Sequence, residues 1–500
     1  MKKLTKIPHL CCAVFLISCT TSELLPDKNG VTLTPSPASL GIEPPTSANN
    51  FSDVLPSLYP FGNRTAFIKG EVSLTANTAI VSSFLTTKLV TPDMGNILKS
   101  GEKLNMVTLG GGMTAGVRNG GLYRYGQMTA YPNLVARQMG MTNFQTPLFA
   151  ENEANGTGYL QLVDDGTQYP VWNEVINNRA TIKAGSPPQL NKFTGNTIHN
   201  YALPEGGLRE MGTPVNNLGV NIYTNSWTTG RVFSNRLLPT WTDSKELTLM
   251  SQMFKQPINF FIAEDDIDFL LSMIKNNANA LSTYGYERYS VGPTMLTYIT
   301  DLMKENGNTT KGVIFTWPII TDLAYFNWYS IQDLKSKANS ILINTTRKNE
   351  NYTLDGNNNN FLLLPTPTID ALFRNLKKGD NVAITLDDTD ILDPQEFGIN
   401  TNSIRKYNNQ LRQLAKEKGL VIVDLEKIYA DIHSNTYISN EGFKVDGSTR
   451  GNFFSSDGIY PTAIGQAVIA NEVIKAINLA YKANIPLVNL IDYSRLVSKE

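Results

Sequence analysis

The chain has 500 residues, with 43 Lys and Arg against 44 Asp and Glu and a formal net charge of −1. That balance supplies no field to recruit nucleic acid, so no nucleic-acid partner is expected. The length suits one large domain or two smaller ones, and 21 Tyr with 21 Phe are ample for a core.

The N-terminus is basic at Met1-Lys2-Lys3 and Lys6 and runs into the apolar stretch Cys11–Ile17. This stretch is too short to span a bilayer and has the layout of a bacterial secretory signal peptide. Its ending, Leu16-Ile17-Ser18-Cys19, resembles a lipobox, in which the cysteine becomes the lipidated first residue of the mature chain. Residues 1–18 are therefore expected to be removed, taking Cys11 and Cys12 with them. The mature body would then hold no free thiol, no disulfide and no cysteine metal site, which suits an oxidising envelope. No later apolar run approaches transmembrane length, so membrane attachment is assigned to lipid on Cys19.

From Cys19 to about residue 50, Pro26, Pro35, Pro37, Pro44 and Pro45 lie among Ser, Thr, Gly and Asn, which predicts a flexible tether. Within residues 51–100, Phe67–Leu74 and Thr78–Val81 are β-prone and predict a small strand-rich extension. From residue 101 the pattern is α/β. Leu104–Leu109, Asn259–Ala263, Gly312–Thr316 and Leu420–Asp424 predict buried strands, and Asn381–Leu386 a strand of a subsidiary hairpin. Helical spacing marks Ser403–Lys418 and Ala463–Tyr481. Strands alternating with helices predict a parallel sheet covered on both faces.

Four blocks in this body are similar to a known family. Gly110-Gly-Gly-Met-Thr-Ala-Gly116 aligns with Gly-Asp-Ser-Leu-Thr-Ala-Gly, and Asp457-Gly-Ile-Tyr-Pro-Thr462 with Asp-Gly-x-His-Pro-Thr. Asn200-Tyr-Ala-Leu-Pro204 and Ala263-Glu-Asp-Asp266 are looser counterparts of the middle blocks. The chain thereby resembles the SGNH/GDSL hydrolases, in the large lipoprotein form found in Bacteroidota, over about residues 101–495. The resemblance implies an SGNH-hydrolase-like, flavodoxin-like three-layer α/β fold with a parallel central sheet and large insertions.

The family mechanism needs a Ser nucleophile at the strand-to-helix turn and a His base set by an Asp three residues earlier. It also needs an oxyanion hole built from backbone N–H groups and an Asn side chain. Gly112 stands at the Ser position and has no nucleophile. Tyr460 stands at the His position, and a phenol of pKa ~10 is a poor base at neutral pH. Asp265 stands where the Asn should donate, and an ionised carboxylate cannot donate. Glu205 follows Pro204 at the family's oxyanion-hole Gly, with Gly206 and Gly207 adjacent. Asp457 is retained without a His to orient, which leaves it the role of capping or bridging its loop.

Replacement nucleophiles are few. Thr114 matches the family's structural Thr, and Ser455 and Ser456 precede Asp457. Besides His9 in the leader, the histidines are His199, beside the second block, and His433. Two acidic clusters, Glu264-Asp265-Asp266 with Asp268 and Asp387-Asp388-Thr389-Asp390 with Asp393, lack the regular spacing of a calcium loop. No cofactor and no metal site are expected. The leading expectation is a catalytically inactive outer-membrane lipoprotein, facing the periplasm or the cell surface. It would serve as an accessory subunit of an outer-membrane β-barrel protein or multi-subunit complex. The alternatives are a lipoprotein holding a glycan or acylated molecule in the former cleft, and an active ester hydrolase with relocated residues.

Overall fold

Four short apolar runs pair side by side and in parallel. They are β1 (Met106–Leu109), β2 (Phe260–Ala263), β3 (Lys311–Phe315) and β4 (Val421–Val423), in the order β4-β3-β2-β1. Every residue of β1 and β2 is buried, so both faces of these strands are covered. Continuous Val, Ile, Phe and Met, without polar alternation, is what a strand buried on both faces requires. The protein is thus α/β, with a central four-stranded parallel sheet and helices around it.

This computed structural model describes residues 67–70, 78–87, 91–175, 177–183, 189–195, 197–212, 229–238, 248–265, 293–347, 350–357 and 360–497. The leader, Cys19, the tether and the acidic residues Asp266 and Asp268 lie outside the described residues. All described residues belong to one compact unit, Pro44–Glu500.

A further extended segment borders β1. Thr108 donates to the His199 carbonyl at 2.8 Å, and Tyr201 and Leu203 donate to the Thr108 and Gly110 carbonyls at 2.8 Å each. The Thr108–Asn200 pairing is parallel. Counted in chain order, residues 199–203 come second, so the five segments run 2-1-3-4-5 across the sheet. The order reverses beside β1, and open α/β sheets place their ligand crevices at the carboxyl ends of strands flanking such a reversal.

Helix Ala463–Tyr481 starts at Thr462, whose hydroxyl accepts from the Gly465 N–H at 3.0 Å. It packs on β4 and on helix Tyr131–Gln138, all of whose residues are buried. Gln466 joins the two helices by accepting from the Tyr131 N–H at 2.9 Å. Each fully buried Leu, Ile, Val or Phe contributes about 1.5–3 kcal/mol of transfer free energy. Helix Pro394–Lys418 begins nine residues before the spacing-based expectation of Ser403. Its start is a capping box: Asp393 accepts from Gln395 and Glu396, and Glu396 accepts from the Asp393 N–H.

Two expectations need correction. Thr78–Val81 is the start of a helix, Thr78–Thr86, not a strand. Val81 is buried with Tyr123, Tyr125 and Tyr159, and Leu85, one turn later, packs on the same cluster. Tertiary burial at i and i+4 outweighs the β preference of Ile80 and Val81. Phe67–Gly70 is a strand, pairing in parallel with Val171–Val175, so the described part of the extension is one strand and one helix. Val382–Asp387 is not a hairpin arm. It lies parallel to Ala338–Arg347, whose hairpin partner is Glu350–Asp355.

Candidate functional site

The carboxyl end of β1 turns through Gly110 and Gly111 into the one-turn helix Gly112–Ala115. A Cβ on Gly110 would stand 2.7 Å from Thr114 Oγ1 and 2.8 Å from Glu264 Oε2, so the turn closes only around glycine. Glu264 follows β2 directly and is fully buried. Its Oε2 accepts from the Gly111 N–H at 3.3 Å, the Thr114 N–H at 3.2 Å and the Thr114 hydroxyl at 2.5 Å. Thr114 spends its one hydroxyl proton on Glu264, so the Tyr131 hydroxyl, 2.8 Å away, donates to Thr114. Burial and the Glu264 charge both push the Tyr131 phenol well above its ordinary pKa. A carboxyl group of the chain itself thus satisfies two N–H groups at the start of this one-turn helix.

The last block is locked by a second carboxylate to the Asn119-Gly120 turn that follows the first. Asn119 and Gly120 have φ of 54° and 73°, and Arg118 and Gly121 exchange both backbone hydrogen bonds at 3.0 Å. This is the two-residue Asn-Gly turn with both central residues left-handed. The Gly120 N–H donates to Asp457 Oδ2 at 2.9 Å. Asp457 Oδ1 accepts from the Ile459 and Tyr460 N–H groups at 2.8 and 2.9 Å. Asn119 donates to the Ser455 hydroxyl at 2.8 Å and accepts from the Ser456 N–H at 2.9 Å. Asp457 is completely buried, and desolvation raises its pKa against the lowering effect of these N–H groups. Ser455 and Ser456 are held in the same interlock, Ser456 donating to the Leu160 carbonyl at 2.8 Å.

The residues of both blocks are buried. Gly112 is buried, Met113 is 1% exposed and Tyr460 is 4% exposed. Tyr429 is also buried, with its hydroxyl 3.8 Å from Met113 Sδ and its ring edge-on to Phe453 and Phe454. Burial, then the charges of Glu264 and Asp457, push the Tyr429 phenol far above its ordinary pKa. Gln466 donates to the Met113 carbonyl at 3.1 Å. The nearby cavity bounded by Ala115, Asn200 and Leu203 has about 20 Å³, room for one water.

Asp265, assigned to the Asn position, is half-buried, and its carbonyl accepts from Trp317 Nε1 at 2.6 Å. Its neighbour Glu264 is the residue that meets the Gly111–Thr114 turn. Glu205 has φ of +57°, a left-handed conformation that favours glycine. Asn200 donates to the Thr114 carbonyl at 3.0 Å. His199 Nδ1 accepts from the Gln145 N–H at 2.9 Å, which puts the ring proton on Nε2, and burial lowers its pKa. His199 lines a surface cleft with Asn143, Gln145 and Thr197 and is paired earlier on the edge segment than the Gly110 turn. His433 is exposed at the end of helix Leu425–His433.

Of the acidic clusters, Asp387 and Asp393 cap helix starts, and Asp390 accepts from Thr366. No grouping of three or more metal-ligating side chains occurs among the described residues. No described helix is long and apolar enough to cross a membrane. Glu264 and Tyr429 were missed as site residues in sequence reasoning. The legible signal for Glu264 was a single acidic residue abutting the wholly apolar Phe260–Ala263. The chain matches no family model, no curated protein and no solved structure.

Proposed function

We propose that this chain is a catalytically inactive, SGNH-hydrolase-like lipoprotein, anchored in the outer membrane by lipid on Cys19. It serves as an accessory or scaffold subunit of an outer-membrane β-barrel complex. The observation that carries the non-catalytic reading is Gly112, buried at the first position of the helix that follows β1, where the family carries its Ser. Gly112 supplies no nucleophile, and the Tyr460 phenol is no base at neutral pH. The 2-1-3-4-5 strand order, which is the flavodoxin-like one, supports the family assignment. The burial of Met113, Tyr429 and Tyr460 favours a packed scaffold over a ligand cleft at this place.

The partner reading rests on the lipobox-like Leu16–Cys19 and the missing chemistry. It is tested by gentle detergent extraction of the tagged full chain and identification of the proteins that co-purify. A β-barrel protein in stoichiometric amount is expected with the native chain. The Cys19→Ala variant should be released from the membrane or remain uncleaved. A native chain that leaves the membrane alone, or a Cys19→Ala chain that stays bound through salt washing, would contradict the proposal.

A further inference from the structure

Away from the Glu264 turn, helix Tyr131–Gln138 presents Arg137, which is nine-tenths buried. Its Nε donates to the Phe84 carbonyl at 2.7 Å, and Nη1 donates to Gln138 Oε1 at 2.5 Å. The Phe84 ring covers the guanidinium at 3.8 Å. Among the described residues no carboxylate faces this cation, and burial alone lowers its pKa. A desolvated charge without a counter-charge is costly, and a bound anion recovers part of that cost.

Arg137 is in the wall of a cleft of about 200 Å³ between helix Thr78–Thr86, helix Tyr131–Gln138 and the following loop. Ser82, Thr142 and Gln145 also line it, and their hydroxyl and amide groups are of the kind that hydrogen-bonds an anion. Leu85 and Met141 make an apolar side. A cavity of ~150 Å³ holds a benzene molecule, so this one has space for a single ring or short chain with a polar head. One guanidinium balances one negative charge; a dianionic phosphate would leave an excess charge beside Leu85 and Met141.

We propose that this cleft binds a small organic monocarboxylate, with its head on Arg137 and its apolar body against Leu85 and Met141. The site is separate from the degenerate hydrolase blocks: none of Gly112, Glu264, Asp457 and Tyr460 lines it.

The test is isothermal titration of the full chain with benzoate, with the neutral benzamide and with inorganic phosphate. Benzoate should bind at one site at least about tenfold more tightly than benzamide or phosphate, the margin a charge-assisted hydrogen bond gives. Arg137→Gln should reduce benzoate to the level of benzamide. Arg137 also holds the Phe84 carbonyl, so a second variant, Thr142→Trp on the exposed rim, is included to block the cleft while preserving the fold. It should abolish benzoate binding. Absence of saturable benzoate binding, equal affinity for benzamide, tighter phosphate binding, or full binding by folded Thr142→Trp would each overturn the proposal.

Discussion

Glu264 and Thr114, 150 residues apart in the chain, meet twice: Glu264 Oε2 is 2.5 Å from the Thr114 hydroxyl and 3.2 Å from its backbone nitrogen. The pairing joins β1 to β2 at the carboxyl edge of the sheet and satisfies helix-start N–H groups that would otherwise need solvent or a ligand. It also makes the site self-contained, because the anion at the helix start is covalently part of the protein.

Removing that carboxylate should therefore be destabilising. Glu264→Ala leaves the buried Gly111 and Thr114 donors without their acceptor and opens a void, at a cost of about 3 kcal/mol. Glu264→Gln keeps an acceptor oxygen and should cost about half as much. Urea unfolding of the two variants beside the native chain measures both. An unchanged midpoint for Glu264→Ala would mean the contact is idle.

Glu205 offers the opposite sign. It holds φ of +57°, where a Cβ is disfavoured. Glu205→Gly should raise stability by about 0.5–1 kcal/mol, seen as a higher melting temperature. Destabilisation would show that the Glu205 side chain contributes more than its backbone costs.

The pH dependence is set in part by Asp457, whose folded pKa is raised above 3.8 chiefly by desolvation. The native state then holds a proton that the unfolded chain has already lost. Stability should fall as pH rises from 3.8 through the raised folded value, and this contribution should be flat above it. Asp457→Asn should remove that slope. It should also turn a donor toward the Gly120 N–H, weakening the Asn119-Gly120 interlock and speeding hydrogen exchange at Gly120. Identical acid-limb slopes in the two proteins would contradict this.

Tyr460 tests whether its surroundings are packing or pocket. It is 4% exposed, so Tyr460→Ala should cost about 3–5 kcal/mol, as for other buried aromatic truncations. Under the proposed function, the variant should still co-purify with the proposed outer-membrane partner under conditions where it remains folded. Full stability with loss of a small ligand would instead favour a binding cleft.

Much of the scaffold was legible because its signals are local. Val421–Val423 and Phe260–Ala263 are apolar runs bounded by turn residues, and Ala463–Tyr481 keeps its apolar spacing to the end. Helix Pro394–Lys418 had a readable start in Asp393-Pro394-Gln395-Glu396, but its first turns lack strong apolar spacing. Helix Thr78–Thr86 was hidden because Ile80 and Val81 favour strands, and only the tyrosine cluster it packs on decides otherwise. The blocks that carry Gly112, Asp457 and Tyr460 could be found as motifs. The parts played by Glu264 and Tyr429 could not, because they depend on contacts across 150 and 316 residues. Local pattern carries no information about such distant pairings.

Treatment of the purified full chain with a fluorophosphonate probe, followed by intact-mass measurement and a p-nitrophenyl ester assay, tests the central claim most directly. The account predicts no adduct and no turnover above buffer. It predicts the same for Gly112→Ser, since an introduced hydroxyl there would lack a histidine base at Tyr460. Stoichiometric labelling of the native chain at one Ser or Thr, with ester turnover to match, would contradict it.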